Sequence, residues 1–178
     1  MFDDDKYLKQ FKEDQIYPKI HDDIFYLASN TEGNNVLDIG CCYGLLSHRL
    51  SKKFNVTGIE ANEYYCEKAI YNNVINMKIN EETLSEFKDI LLDHKIDIVV
   101  CRRVIPELYD CGGESLIRKI EKTLYECNVK YIILEGRTVS KRSVHKLKSI
   151  DNEIEILSND YFLDKKYKRC ARLQRKEK

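Results

Sequence analysis

The chain has 178 residues, of which 43% are hydrophobic and 34% charged, and its formal net charge is zero. These values are typical of one globular domain over residues 1–178 and exclude a disordered chain. No apolar run approaches the roughly 18 residues that cross a bilayer, so no membrane association is expected. The N-terminus, MFDDDKYLKQ, is acidic where a secretory signal would be basic and then apolar. We therefore expect a cytoplasmic protein; the oligomeric state stays open, and a monomer is compatible with the sequence.

The seven cysteines and four histidines are scattered along the chain, and the cysteines show no Cys-x-x-Cys spacing. This pattern argues against a disulfide framework and a zinc site, so we predict reduced, mostly buried thiols and no bound metal. His21, beside Asp22 and Asp23, is the best candidate for a metal ligand. A solvated helix face is the simpler interpretation of these three residues.

Predicted strands and helices alternate along the chain. A helix is expected within residues 18–30, as part of an N-terminal helical segment 1–30 that precedes a core over 36–178. The core elements are predicted as strand 36–39, helix 43–53, strand 55–60, helix 62–73, strand 75–79, helix 81–93, strand 97–101, helix 114–127 and strand 130–135. Strands such as DIVVC and YIILE are almost continuously apolar, which is typical of strands covered on both faces. The alternation predicts an α/β fold with a doubly wound, Rossmann-like, mostly parallel sheet and helices on both faces.

The pattern changes after residue 137. A short helix is predicted over 143–150, followed by strands at EIEIL (153–157) and KRCARLQ (168–174). The connection between these strands is too short for a helical crossover. We therefore predict a sheet of seven strands that ends in an antiparallel hairpin.

The stretch VLDIGCCYGLL (36–46) leaves the first predicted strand at its carboxyl end, where doubly wound folds bind ligands. Gly40 and Gly44 permit a sharp turn and close approach of a ligand to the backbone. Glu60 ends the second predicted strand, where nucleotide-binding folds place an acid that accepts hydrogen bonds from ribose. Together these features predict a nucleoside site.

Asp38 distinguishes between possible ligands of this turn. A dinucleotide fingerprint needs three glycines around a pyrophosphate, and a pyrophosphate gains nothing from a nearby carboxylate. A ligand with an amino group does gain from it, because the carboxylate of Asp38 attracts the positive charge. Cys41 and Cys42 are adjacent in a tight turn and point in different directions, so they are poorly placed to chelate a metal.

VLDIGCCYGLLSHRL resembles motif I of the Rossmann-type S-adenosylmethionine-dependent methyltransferases. VTGIEAN, NMKINEE and IDIVVCRRVIPELY are similar to later motifs of this family, in the same order, and the tail is similar to its closing hairpin. The resemblance covers about residues 20–178 and implies S-adenosylmethionine as the cofactor. The residues that it implies for cofactor binding are Asp38, Gly40, Cys41, Cys42, Tyr43, Gly44, Glu60, Ala61, Asn80, Cys101 and Arg102.

The sequence also departs from the family pattern. Cys42 replaces the middle glycine of motif I, and Pro106 and Glu107 stand where many members have histidine. No Asn/Asp-Pro-Pro-aromatic tetrapeptide follows the fourth strand, which disfavours amino-methylation of adenine in DNA. Cys101 lacks the Pro-Cys context of cytosine-5 enzymes and is interpreted as a core thiol.

Methyl transfer from a sulfonium needs mainly positioning and a dry, aligned site. Where the acceptor carries a proton, a general base helps, and Glu107 and Tyr109 are the candidates, with a structural role as the alternative. Arg102 and Arg103 follow the fourth strand directly. They either frame the methyl site, clamp an anionic acceptor through paired hydrogen bonds, or pair with neighbouring acids.

A small-molecule acceptor is the favoured hypothesis, because no recognition domain is present. RNA is the alternative, since residues 137–178 carry a net charge of +7 and basic segments contact phosphates. The candidate contacts are Arg137, Lys141, Arg142, Lys146, Lys148, Lys165, Lys166, Lys168, Arg169 and Arg172. A third hypothesis is a catalytically inactive regulator or scaffold that binds the cofactor. An NAD-linked oxidoreductase is disfavoured, because the third glycine of the dinucleotide fingerprint is missing.

Overall fold

The computed structural model describes residues 16–136 and 145–177 of the chain. Seven strands and six helices make up the regular structure of these residues. In chain order they are α1 (Ile16–Ser29), β1 (Asn35–Ile39), α2 (Leu45–Leu50), β2 (Asn55–Glu60), α3 (Glu63–Glu67), β3 (Val74–Asn76), α4 (Leu84–Asp93), β4 (Ile98–Arg102), α5 (Ile105–Glu126), β5 (Tyr131–Glu135), α6 (Ile150–Ile156), β6 (Tyr161–Tyr167) and β7 (Cys170–Arg175). No helix of the described residues is long and apolar enough to cross a membrane.

The strands form one sheet in the order β3-β2-β1-β4-β5-β7-β6. The first five strands are parallel, and β7 runs antiparallel to both β5 and β6. Alternate residues of the central strands face opposite layers: Leu37 and Val99 belong to one apolar cluster, whereas Val36 and Val100 belong to the other. The predicted α/β fold with a seven-stranded, mostly parallel sheet and a closing hairpin is confirmed.

Strand order reverses between β1 and β4. From β1 the chain moves outward through β2 and β3 on one side, and from β4 it moves through β5 on the other. A crevice therefore opens outside the carboxyl ends of β1 and β4, which is where open α/β sheets bind ligands.

The segment EIEIL was wrongly predicted as a strand, because it lies in α6 and the following turn. Ser149 caps this helix by accepting a hydrogen bond from the backbone N–H of Asn152 (3.3 Å). Ile150, Glu153 and Ile156 are buried at spacings of three residues, which is the period of a helix and not of a strand. The first strand of the hairpin is instead β6.

Two predicted helix boundaries were also displaced. α5 begins at Ile105, well before residue 114, with Pro106 in its first turn, where proline is tolerated. Gly113 has φ 65° and ψ −164° and divides it into two segments. Of the helix predicted over 143–150, residues 143 and 144 lie outside the described residues, and 145–149 are not helical.

Candidate functional site

Every second residue of the turn after β1 has a left-handed backbone conformation: φ is 71° at Gly40, 51° at Cys42 and 70° at Gly44. The backbone N–H groups of Gly40 and Cys41 both donate to the carbonyl of Ile59, at 2.8 and 3.1 Å. These bonds hold the turn against the end of β2. The helix predicted from residue 43 starts later, at Leu45, because Gly44 is left-handed.

Gly40 and Gly44 cannot carry a side chain, because a Cβ would not fit and because both have a positive φ. A Cβ on Gly40 would lie 2.3 Å from Cγ2 of Val104, and a Cβ on Gly44 would lie 2.8 Å from Cβ of Tyr71. Cys42 has the same kind of backbone conformation without being glycine. For a residue with a Cβ, this conformation costs about 1–2 kcal/mol.

Replacing Cys42 with glycine is therefore expected to raise the free energy of unfolding by about 0.5–1 kcal/mol, the left-handed cost less the extra chain entropy of glycine. Binding of S-adenosylhomocysteine should be kept or become tighter, because the backbone is then more accessible. Chemical denaturation and calorimetry measure the two effects. Lys95→Gly is the matched control, since Lys95 also has positive φ (49°); it should gain stability with no change in ligand affinity. Weaker ligand binding by Cys42→Gly would contradict the prediction.

Glu60 ties the turn to the loop that follows β2. Its Oε2 accepts a hydrogen bond from the N–H of Cys42 (2.9 Å), and its Oε1 accepts one from the N–H of Asn62 (2.8 Å). A carboxylate offers about four acceptor positions, so about two remain for a ligand. Its side chain is thus oriented by the backbone and can still accept hydrogen bonds from hydroxyl groups.

Asp38 is only 1% exposed and accepts a hydrogen bond from Oγ of Ser47 (2.7 Å). Burial raises the pKa of Asp38 from 3.8 to about 6, against the opposing effects of the Ser47 hydrogen bond and of Arg102. A neighbouring cation would lower this pKa and complete the ionisation of Asp38 at neutral pH.

His21 projects from α1 to the same place. It is buried, so the interpretation of His21 as part of a solvated helix face was wrong. Burial, assisted by Arg102, lowers its pKa from 6.5 to about 3, which keeps the ring neutral at physiological pH. His21, Asp38 and Arg102 line a cavity of about 10 Å³ together with the turn. A cavity of this size has room for about one water molecule.

Aromatic side chains cover the other side of the turn. Tyr43 is buried, and its ring centroid lies 5.0 Å from that of Tyr65, whereas Tyr64 is 45% exposed. The N–H of Ile70 donates to the carbonyl of Tyr43 (3.0 Å). These contacts explain why the helix predicted over 62–73 ends at Glu67: the following residues turn back over the glycine turn.

Cys41 and Cys101 are buried packing residues. Sγ of Cys41 would lie 2.8 Å from a Cβ on Gly58, so this sulfur occupies the space of a missing side chain. Burial raises the pKa of Cys41 and of Cys101 far above the ordinary value, and such thiols are unreactive. Within 16–136 and 145–177, no cluster of His, Cys, Asp or Glu has the arrangement of a metal site.

Four other residues from the sequence-based prediction are not part of the lining of this cavity. Oδ1 of Asn80 accepts hydrogen bonds from the N–H groups of Glu82 and Thr83 at the start of α4, and Ala61 is exposed after β2. Glu107 is exposed in the first turn of α5, and Tyr109 packs half-buried against the larger apolar cluster. Neither Glu107 nor Tyr109 lines the cavity beside Asp38, and their roles stay predictions.

Glu135 was missed by the sequence analysis. It is fully buried at the end of β5, and its Oε2 lies 3.1 Å from Nε of Arg103 and 3.5 Å from Nε of Arg102. The hypothesis that the two arginines pair with neighbouring acids is thus confirmed for their Nε atoms. The acid that ends YIILE was a usable signal, because Arg102 and Glu135 stand opposite each other in the parallel register.

The sheet order, the left-handed turn and the strand-end carboxylate together define a Rossmann-type methyltransferase fold. A family model described as a methyltransferase domain matches residues 30–172, and the chain belongs to this family. The class of enzyme that the motifs indicated is therefore confirmed. No curated protein matches the sequence.

Solved structures with this fold include three methyltransferases. The N-methyltransferase NodS from Bradyrhizobium japonicum WM9, in complex with S-adenosyl-L-homocysteine, is 16% identical, with a TM-score of 0.65 over 90% of this chain and 87% of NodS. Magnesium protoporphyrin IX methyltransferase (ChlM) from Synechocystis PCC 6803, with bound SAM, is 18% identical, with a TM-score of 0.61 over 90% of this chain and 80% of ChlM. The bifunctional kinase-methyltransferase WbdD is 18% identical with a TM-score of 0.59, and the match spans 87% of this chain but only 37% of WbdD. At these identities the likeness concerns the fold.

Proposed function

We propose that the chain is an S-adenosylmethionine-dependent methyltransferase that acts on a small molecule. The observation that carries the proposal is the joint arrangement of a left-handed turn at Gly40–Gly44, a buried carboxylate at Asp38 and an oriented carboxylate at Glu60. All three lie at the carboxyl ends of β1 and β2, next to the crevice between β1 and β4. NodS and ChlM, which share the fold, were solved with S-adenosylhomocysteine and SAM.

The residues present suit this cofactor. Glu60 has about two acceptor positions left for ribose hydroxyls, and Asp38 offers a buried negative charge to an amino group. The family resemblance implies that Asn80 lies near the adenine and that Ala61 also contacts the cofactor. When bound, the cofactor supplies a sulfonium methyl group for displacement by a nucleophile of the acceptor.

The protein contributes positioning and exclusion of water. His21 and Arg102 line the cavity beside the turn, where we expect the amino-acid end of the cofactor. Once bound, the amino-acid end is enclosed by groups that keep water out, which favours an aligned displacement. Glu107 and Tyr109 are proposed to take up a proton where the acceptor carries one.

The basic C-terminal segment supports a small-molecule acceptor more than RNA. Lys166 pairs with Asp151 and Lys168 with Asp23, both at 2.6 Å, and Arg172 pairs with Asp164 at 2.5 Å. Phosphate contacts would have to replace these local partners. Arg137, Lys141 and Arg142 lie outside the described residues.

Calorimetry with S-adenosylhomocysteine tests the proposal through Glu60. Glu60→Ala should weaken binding by at least about 1.5 kcal/mol, or roughly tenfold, the lower range for a hydrogen bond to a charged group. Because Glu60 also holds the N–H groups of Cys42 and Asn62, thermal unfolding must establish that the variant is folded.

Glu63→Ala is the matched control, since Glu63 is an exposed acid in the first turn of α3. It should leave affinity unchanged. Equal affinities for the wild type and a folded Glu60→Ala variant would remove the assignment of Glu60. A wild-type protein that binds no S-adenosylhomocysteine would remove the proposed cofactor itself.

A further inference from the structure

Three arginines surround one carboxylate at the carboxyl ends of β4 and β5. This group, the Glu135 cluster, comprises Arg102, Arg103, Glu135 and Arg169. Nε of Arg102 and of Arg103 lie 3.5 and 3.1 Å from Oε2 of Glu135, and Nη1 of Arg169 lies 3.9 Å from Oε1. A single buried acid therefore accompanies three guanidinium groups.

Most hydrogen-bond donors of Arg103 and Arg169 are unused by the described part of the protein. Arg103 directs only its Nε–H to Glu135, shared between the two oxygens at 3.1 and 3.3 Å. Its Nη groups donate to no atom of residues 16–136 and 145–177, and the 3.9 Å approach of Arg169 is too long for a hydrogen bond. The side chains are 34% and 30% exposed, so these donors are reachable from solvent.

Three guanidinium groups, those of Arg102, Arg103 and Arg169, share the two carboxylates of Glu135 and Asp38. Lys168 is paired with Asp23 at 2.6 Å, and Arg102 interacts with Asp38, whose pKa it lowers. A positive excess is left on Arg103 and Arg169. Because both side chains are about two-thirds covered, the excess attracts an anion more strongly than it would on an open surface.

The backbone of Arg103 is also unusual. Its φ is +59°, and its N–H donates to the carbonyl of Glu135 at 2.9 Å. A left-handed conformation in a residue with a long side chain persists only where surrounding contacts hold it, and such residues concentrate at binding sites. Glu135 thus fixes Arg103 through both its main chain and its side chain.

We propose that Arg103 and Arg169 form an oxyanion site, and that the methyl acceptor is a small molecule carrying a carboxylate or a phosphate group. The inference rests on the proposed function, because it takes the crevice beside Asp38 as the place of methyl transfer. The planar fork of arginine binds two oxygens of such a group at once. The anion anchors the acceptor, and another group of the same molecule receives the methyl.

The test uses inorganic phosphate and acetate as probes, titrated into protein saturated with S-adenosylhomocysteine, at an ionic strength held constant with chloride. The Nε–H signals of arginine in NMR spectra report the site. We expect a saturable change at Arg103 and Arg169. Arg103→Gln should weaken probe binding about tenfold or more, which is the loss of one hydrogen bond between charged groups. Arg103→Lys, which keeps the charge but loses the fork, should also weaken it.

Arg118→Gln is the matched control. Arg118 has a similar side-chain exposure of 32% and pairs with Glu114 and Glu121 on α5, away from the crevice. It should leave probe binding unchanged. Equal weakening by Arg118→Gln, or spectral changes that chloride reproduces, would overturn the inference. Protein that binds S-adenosylhomocysteine but neither probe overturns only the oxyanion site, whereas loss of S-adenosylhomocysteine binding in the wild type counts against the proposed function.

Discussion

Replacing Glu135 with alanine is expected to lower the free energy of unfolding by about 3 kcal/mol. The carboxylate is 0% exposed and is the partner of Arg102, Arg103 and Arg169. Removing one member of a buried ion pair costs about 3–5 kcal/mol, because the charges that stay are desolvated without compensation. The lower end applies here because Arg103 and Arg169 are about a third exposed. Chemical denaturation at neutral pH measures the change.

Glu135→Gln separates charge from volume, since it keeps the shape of the side chain. If the lost charge causes the effect, Glu135→Gln should lower the free energy of unfolding almost as much as Glu135→Ala. If the empty cavity causes it, Glu135→Gln should have nearly the wild-type stability. Glu114→Ala is the surface control: Glu114 is 61% exposed and pairs with Arg118, so its removal should cost less than about 1 kcal/mol. A change below about 1 kcal/mol in both Glu135 variants would show that the cluster does not stabilise the fold.

His21 and Asp38 are expected to give opposite pH dependences of stability. Unfolded aspartate loses its proton near pH 3.8, but folded Asp38 keeps it to about pH 6. The stability that Asp38 contributes is therefore fully present below pH 3.8 and is lost as the pH rises to about 6. Unfolded histidine takes up a proton below about pH 6.5, but folded His21 stays neutral to about pH 3. Its contribution is present above pH 6.5 and is lost as the pH falls.

Between about pH 4 and pH 6 each group changes the free energy of unfolding by about 1.4 kcal/mol per pH unit, and the two slopes oppose each other. In the wild type they cancel. Relative to the wild type, Asp38→Asn should gain about 2–3 kcal/mol as the pH rises across this range, and His21→Gln should lose a similar amount. The double variant should follow the wild-type curve. Denaturation with urea at several pH values gives the comparison, and single variants that run parallel to the wild type would refute the opposing titrations.

Local patterns predicted the fold class and the glycine turn after β1 well. Apolar strands such as DIVVC and YIILE are recognisable because strands covered on both faces are apolar throughout. Gly40 and Gly44 were identified because positive φ and close packing leave few alternatives to glycine. The prediction for EIEIL was wrong because alternating Ile and Glu fits a strand as well as a helix. Only the burial of Glu153 within α6 distinguishes the helix from the strand.

The sequence by itself determined the order of strands and helices, the turn of motif I and the acid at the end of β2, since these depend on residues close together in the chain. Only the tertiary structure decided that His21 is buried and lines a cavity with Asp38, and that Arg103 is held by Glu135, 32 residues away. Such contacts depend on which strands become neighbours in the sheet and which helix covers them. The raised pKa of Asp38 and the positive excess at Arg103 follow from that packing, because burial and neighbouring charges set both.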